Sequence, residues 1–140
     1  MQESHSALDA VAKYLASRGV SRRGQRAGLH GLIARWEAFA HAAERYDLTL
    51  DAWRDDVDLR DIIAGALAVA PDADRAEAGM ALGRADAFFR EATVETKRSL
   101  WGDSVGSADE HDPRQQWWYY RRPKDPGETM LASLKGAGIE

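Results

Sequence analysis

Five aspartates crowd into eleven residues of this chain, Asp51, Asp55, Asp56, Asp58 and Asp61, and carboxylates at that density can hold a divalent cation if their oxygens converge. The spacing does not favour convergence. No glycine stands at a turn position, no glutamate closes a twelve-residue loop, and Arg54 and Arg60 are interleaved as counter-charges. Acids also favour the positive ends of helices, so helix starts account for Thr49 and Asp58 without a ligand. Asp55, Asp56, Asp58 and Asp61 remain the candidate ligands of an enzyme or divalent-metal alternative, and no cofactor is expected.

A second constellation is Glu37, His41 and Glu44, which steps of four and three place on one helix face. Di-iron bundles carry glutamate followed three residues later by histidine on more than one helix; here the short step runs from histidine to glutamate and occurs once. A solvated helix face is the better reading. The serines show neither a strand-turn-helix elbow nor a phosphate-cradling glycine loop. Zero cysteines exclude disulfides, thiolate metal sites and a cysteine nucleophile. No catalytic residue is assigned.

Two basic features bear on partners. Arg22, Arg23 and Arg26 could touch phosphates, although short runs of this kind usually mark a solvated helix end. The stretch QQWWYYRRP at 115–123 sets Trp117, Trp118, Tyr119 and Tyr120 beside Arg121 and Arg122. Four aromatics carry on the order of 600–1,000 Å² of surface, more than a monomer leaves exposed in one patch. Two of them are expected to pack across the chain's own helices while Arg121, Arg122 and Lys124 reach the acidic middle. The rest would present a Trp, Tyr and Arg anchor surface for another protein, and these six residues are the candidate partner-binding site. A single-strand nucleic-acid platform would need a sheet to display the rings, so nucleic acid is the lesser expectation.

Helices must position these groups. Ser6 to Asp9 reads as a capping box for a first helix stopped by Gly19, with Leu8, Val11, Ala12 and Leu15 on one face. After SRRGQRAG, a connector or a frayed helix start, the apolar stripe Leu29, Leu32, Ile33, Trp36, Phe39, Ala40 and Ala43 predicts a central helix over about 25–46. Thr49 caps a short helix through Trp53, and Asp58 to Asp61 reads as a further capping box for a helix ended by Pro71. A longer helix runs from Asp74 to about Leu100, with Ala78, Leu82, Ala85, Phe88, Phe89 and Ala92 inward and Asp86 beside Arg90 on its exposed side. Residues 102–112 read as a mobile acidic loop, 113–124 as an aromatic-basic segment that is extended rather than helical, and 125–136 as a short last helix closed by Gly136. The expected class is all-α: a single domain, 1–140, of five or six helices crossed by the extended aromatic segment.

Charge is segregated along this frame. Residues 1–46 carry seven Lys/Arg against four Asp/Glu (+3), residues 47–112 seven against sixteen (−9), and residues 113–140 five against three (+2), for a net −4. Basic ends can therefore meet an acidic middle within one chain. No apolar run approaches the roughly 20 residues of a membrane span, and the N-terminus lacks the basic-then-apolar order of a secretory signal, giving a cytoplasmic expectation. The elements WEAF (36–39), YDLTLD (46–51), DLR (58–60) and WYYRRP (118–123) resemble small uncharacterised bacterial proteins carrying W-x-x-F, Y-x-L-x-L-D, D-x-R and W-x-x-R-x-P. The resemblance implies a coherent domain over about 30–127 and assigns no activity. A non-enzymatic protein-binding module, such as an immunity, antitoxin or accessory protein, is the functional expectation, with a homo-oligomer open.

Overall fold

The computed structural model describes residues 2–100 and 113–139, with side chains from Ala10 onward. Five α-helices, α1 (Gln2–Ser17), α2 (Arg22–Ala42), α3 (Leu50–Val69), α4 (Asp72–Ala92) and α5 (Glu128–Gly136), enclose one contiguous core. The all-α expectation holds. The proposed loop at 102–112 lies outside the described residues.

Helix starts and stops follow local chemistry. Gly19 (φ 79°) ends α1 in the left-handed conformation, with the Val20 amide donating to the Leu15 carbonyl and the Gly19 amide to Ala16. The helix begins at Gln2, not at the capping box expected at Ser6. Ser21 accepts from the Gly24 amide and starts α2, so SRRGQRAG is a helix start and not a connector. The hesitation in that stretch is nonetheless real. Gly28 breaks the helix with φ 64° and ψ −159°, a conformation open to glycine alone.

Thr49 caps α3 through the Ala52 amide, as expected, but the helix then continues unbroken to Val69. Asp58 is therefore an interior residue and caps nothing. Nothing between Trp53 and Asp58 can break a helix, since RDDV holds neither glycine nor proline. The far end is closed by Arg75, whose guanidinium donates to the Leu67 and Ala70 carbonyls.

The expected helix to Leu100 stops at Ala92. Thr93–Glu95 forms β1, paired antiparallel with β2 (Arg121–Pro123) in the register Thr93 to Pro123, Val94 to Arg122 and Glu95 to Arg121. A single 3₁₀ turn, Trp117–Tyr120, leads directly into β2. The aromatics are thus neither extended nor α-helical, and the extended portion is confined to the three residues that follow. A four-residue turn points successive rings in different directions, which suits a stretch that is apolar on every side.

Packing centres on aromatic contacts among the helices. Trp36, Trp53 and Phe89 are all fully buried, with Trp36 to Phe89 ring centroids 4.7 Å apart and Phe39 5.1 Å from Trp53. Last in the chain, α5 is held by the loop before α3: Asp47 Oδ1 accepts from the Thr129 amide, the Gly127 amide donates to the Tyr46 carbonyl, and Ser133 Oγ accepts from the Leu50 amide. Its first residue is Glu128, three beyond the expected cap at Asp125, and its left-handed stop is Gly138, not Gly136.

Where α1 meets α3, a Cβ at Gly65 would overlap the Tyr14 ring and hydroxyl. Alanine is the better helix former, so the two effects oppose each other. Gly65→Ala is expected to lower the melting temperature in the native background and raise it when Tyr14 is first changed to Leu. Equal shifts in both backgrounds, read by thermal circular dichroism, would show that the contact does not constrain the site.

Candidate functional site

The aromatic turn lies over α3 and α4, and a buried ion pair beneath it fixes its position. Arg60 on α3 and Asp86 on α4 are each 8% exposed. Arg60 donates from Nε to Asp86 Oδ1 at 2.9 Å and from Nη2 to Oδ2 at 3.0 Å, and the Trp36 indole donates to Oδ1 at 2.9 Å. Three helices are thereby tied to one carboxylate. This geometry overturns the expectation of Asp86 beside Arg90 on the exposed side of α4.

Above the pair, the Arg60 guanidinium lies 4.5 Å from the Trp118 ring centroid and 6.0 Å from that of Trp117. Arg90 also approaches the Trp117 ring, at 4.0 Å. Trp117 is half-buried and lies against Phe89 at 6.0 Å. Trp118, Tyr119 and Tyr120 are buried at 3%, 3% and 9% exposure. Of the six residues expected to form an anchor surface, these three are committed to the chain's own core, while Trp117, Arg121 and Arg122 stay partly exposed.

Among the described residues, Arg121 and Arg122 form no ion pair with Asp55, Asp56, Asp58 or Asp61. Arg121 donates from Nε to Thr93 Oγ1 and from Nη2 to the Arg90 and Thr93 carbonyls, while its own carbonyl accepts from the Trp53 indole at 3.2 Å. Burial pulls its guanidinium down from the usual arginine range, with Glu95 opposing and Arg90 reinforcing that shift. Arg122 donates to the Pro123 carbonyl. The acidic middle is met instead by Arg18, at 3.5 Å from Asp58 and 3.1 Å from Asp61, by the Tyr119 hydroxyl on Asp58 at 2.7 Å, and by Gln116 on Asp61 at 3.0 Å.

Of the four candidate metal ligands, Asp58 and Asp61 are engaged as described, Asp56 accepts from the Tyr46 hydroxyl at 2.7 Å, and Asp55 is exposed. Among the described residues, no three His, Asp or Glu side chains converge as a metal site would require. On α2, Glu37 is bridged by Arg84 at 3.2 Å and His41 lies on Phe88 at 4.3 Å. Arg22, Arg23 and Arg26 are exposed in the first turns of α2, the positive end of the helix dipole, where cations gain nothing from the helix. No helix among the described residues is long and apolar enough to cross a membrane.

The phenol of Tyr119 is pushed up from its usual range, first by burial, then by its hydrogen bond to Asp58 and the charges of Asp58 and Asp61. Tyr46 is raised in the same direction by burial and then by Asp56. A group whose folded-state value is raised keeps its proton longer in the fold than in the unfolded chain. Its stabilisation is complete below the unfolded tyrosine value of about 10 and is lost as pH rises beyond it. Urea unfolding between about pH 9 and 11.5 is expected to show falling stability, with a shallower fall for Tyr119→Phe. Parallel profiles for the two proteins would remove Tyr119 as a source.

Compared with known proteins, the chain matches no family model, no curated protein and no solved structure. The four short elements that resemble small bacterial proteins therefore carry no family assignment, and their residues stand on geometry: Trp36, Arg60 and Trp118 meet around one carboxylate.

Proposed function

We propose that this chain is a non-enzymatic protein-binding module, of the kind that immunity, antitoxin or accessory proteins of bacteria represent, and that its docking surface is centred on Trp117. The observation that supports it is the setting of that ring. One tryptophan of the aromatic turn is left partly exposed, with Arg90 4.0 Å and Arg60 6.0 Å from its ring centroid. Tryptophan and arginine dominate interface energetics, and a ring already fixed loses little entropy when a partner covers it. The neighbouring Arg121 is likewise fixed by its bonds to Thr93 and Arg90. Such a surface favours a partner that offers an aromatic or aliphatic pocket beside carboxylates.

Trp118 and Tyr120 are unsuitable probes, because their removal opens the core. The useful comparison is among wild type, Trp117→Ala and, as a control on an exposed α4 position, Met80→Asp, each expressed in cells and recovered with its associated proteins. A partner lost with Trp117→Ala and retained with Met80→Asp supports the reading. If every co-purifying protein is indifferent to residue 117 while the fold is intact, the proposal fails.

A further inference from the structure

We infer a second, separate docking groove between β2 and α5, shaped for an acidic peptide segment with a large aliphatic side chain. Two hollows of about 440 Å³ and 290 Å³ meet at Ile139, one floored by Leu131 and Leu134 and the other running beneath β1. Leu131 is 42% exposed, one of few large apolar side chains that the described surface leaves open. The banks are basic. Lys97, Arg98, Arg122, Lys124 and Lys135 line the two hollows, against Glu95 and Asp125, and Asp125 lies within 3.9 Å of Arg45.

This accumulation runs against the sign of the chain, which is −4 overall. The cations closest to forming a recognition set are the lysines: among the described residues, none of Lys97, Lys124 and Lys135 has a carboxylate within ion-pair distance. Exposed lysines around an apolar floor match a peptide whose acids meet the banks while an aliphatic side chain covers Leu131 and Ile139. A nucleic-acid strand fits less well. It would present phosphate to the banks, but no aromatic ring among the described residues lines the groove to receive a base, and the floor would be buried against nothing apolar.

The groove is independent of Trp117, and the experiment keeps the two apart. A random-peptide display library is selected on the full chain, and recovered peptides are measured by fluorescence anisotropy against wild type, Leu131→Ser, Lys124→Glu with Lys135→Glu, and Trp117→Ala. All of the substituted residues except Trp117 are exposed, and melting curves check that each variant is folded. Enriched peptides are expected to be acidic with leucine, isoleucine or methionine, to lose about tenfold in affinity for the Leu131 and lysine variants, and to bind Trp117→Ala unchanged. Neutral or basic winners, no enrichment, or affinity unaltered by both groove variants would overturn the inference. So would equal binding of a single-stranded oligonucleotide of the same charge. Loss with Trp117→Ala alone would overturn the groove while upholding the Trp117 surface.

Discussion

Replacing Arg60 with Met is expected to lower the unfolding free energy by about 3–5 kcal/mol, the largest effect of any single charged residue in the described structure. The cost does not measure the strength of the ion pair. Removing the guanidinium leaves Asp86 at 8% exposure with one remaining donor, the Trp36 indole, where it had three hydrogen bonds. An isolated buried carboxylate is unfavourable by several kcal/mol, and Arg60 also loses its contact with the Trp118 ring. Asp86→Asn in the Arg60→Met background retains an acceptor for Trp36 and removes the charge, so it is expected to recover about half of the loss. The four proteins form a double-mutant cycle read by urea denaturation. A cost below about 1 kcal/mol for Arg60→Met alone would mean that Asp86 finds other compensation and that the pair does not join the helices.

That pair also marks where legibility in the sequence ends. Periodicity identified the buried stripe of α2, and Leu29, Leu32, Ile33, Trp36 and Ala40 are all buried. The same period places Asp86 on the inward face of α4, four residues after Leu82 and three before Phe89, both of which are buried. The expectation of an exposed Asp86 put the general habit of aspartate ahead of its position in the period, and Arg90 four residues on supplied a plausible but wrong partner. Asp58 was misread for a related reason. An acid three residues after an aspartate has the form of a capping box, yet a cap requires a chain break before it, and α3 has none.

Long-range pairings were less accessible still. Thr93–Glu95 is too short to announce itself as a strand, and its partner Arg121–Pro123 lies nearly thirty residues further along. The charge tally suggested that a basic end would meet the acidic middle, and among the described residues Arg18 does so, reached through the packing of α1 on α3. Net charge by segment reports a sum, and the choice among arginines is made by tertiary packing. For the candidate site, the apolar area of QQWWYYRRP required that the rings be covered, and two were expected on the chain's own helices where three are buried. Which ring would face outward depended on the 3₁₀ turn, and no periodic signal specifies a turn of four residues.

The rings on that turn divide into one that can serve a partner and three that hold the fold, and substitution at 117 and 118 is expected to separate the two roles. Trp118→Ala should cost about 3–5 kcal/mol, since it empties a nearly closed site between Arg60, Trp117 and Tyr119 that no neighbour can fill. Trp118→Phe should cost far less than its lost volume suggests. The Trp118 indole N–H is buried with no hydrogen-bond partner, so phenylalanine discards an unsatisfied donor along with part of the ring. Trp117→Ala removes a half-buried ring whose main contacts are two arginines and Phe89, and about 1 kcal/mol is expected. If the proposal for this surface is right, the order reverses in partner affinity: Trp117→Ala abolishes binding while Trp118→Phe, folded and with its neighbour still in place, retains it. Urea denaturation gives the first order and partner recovery the second. Equal loss of affinity for both variants would mean that the turn acts only through its effect on the fold, and the docking role of Trp117 would fall with that result.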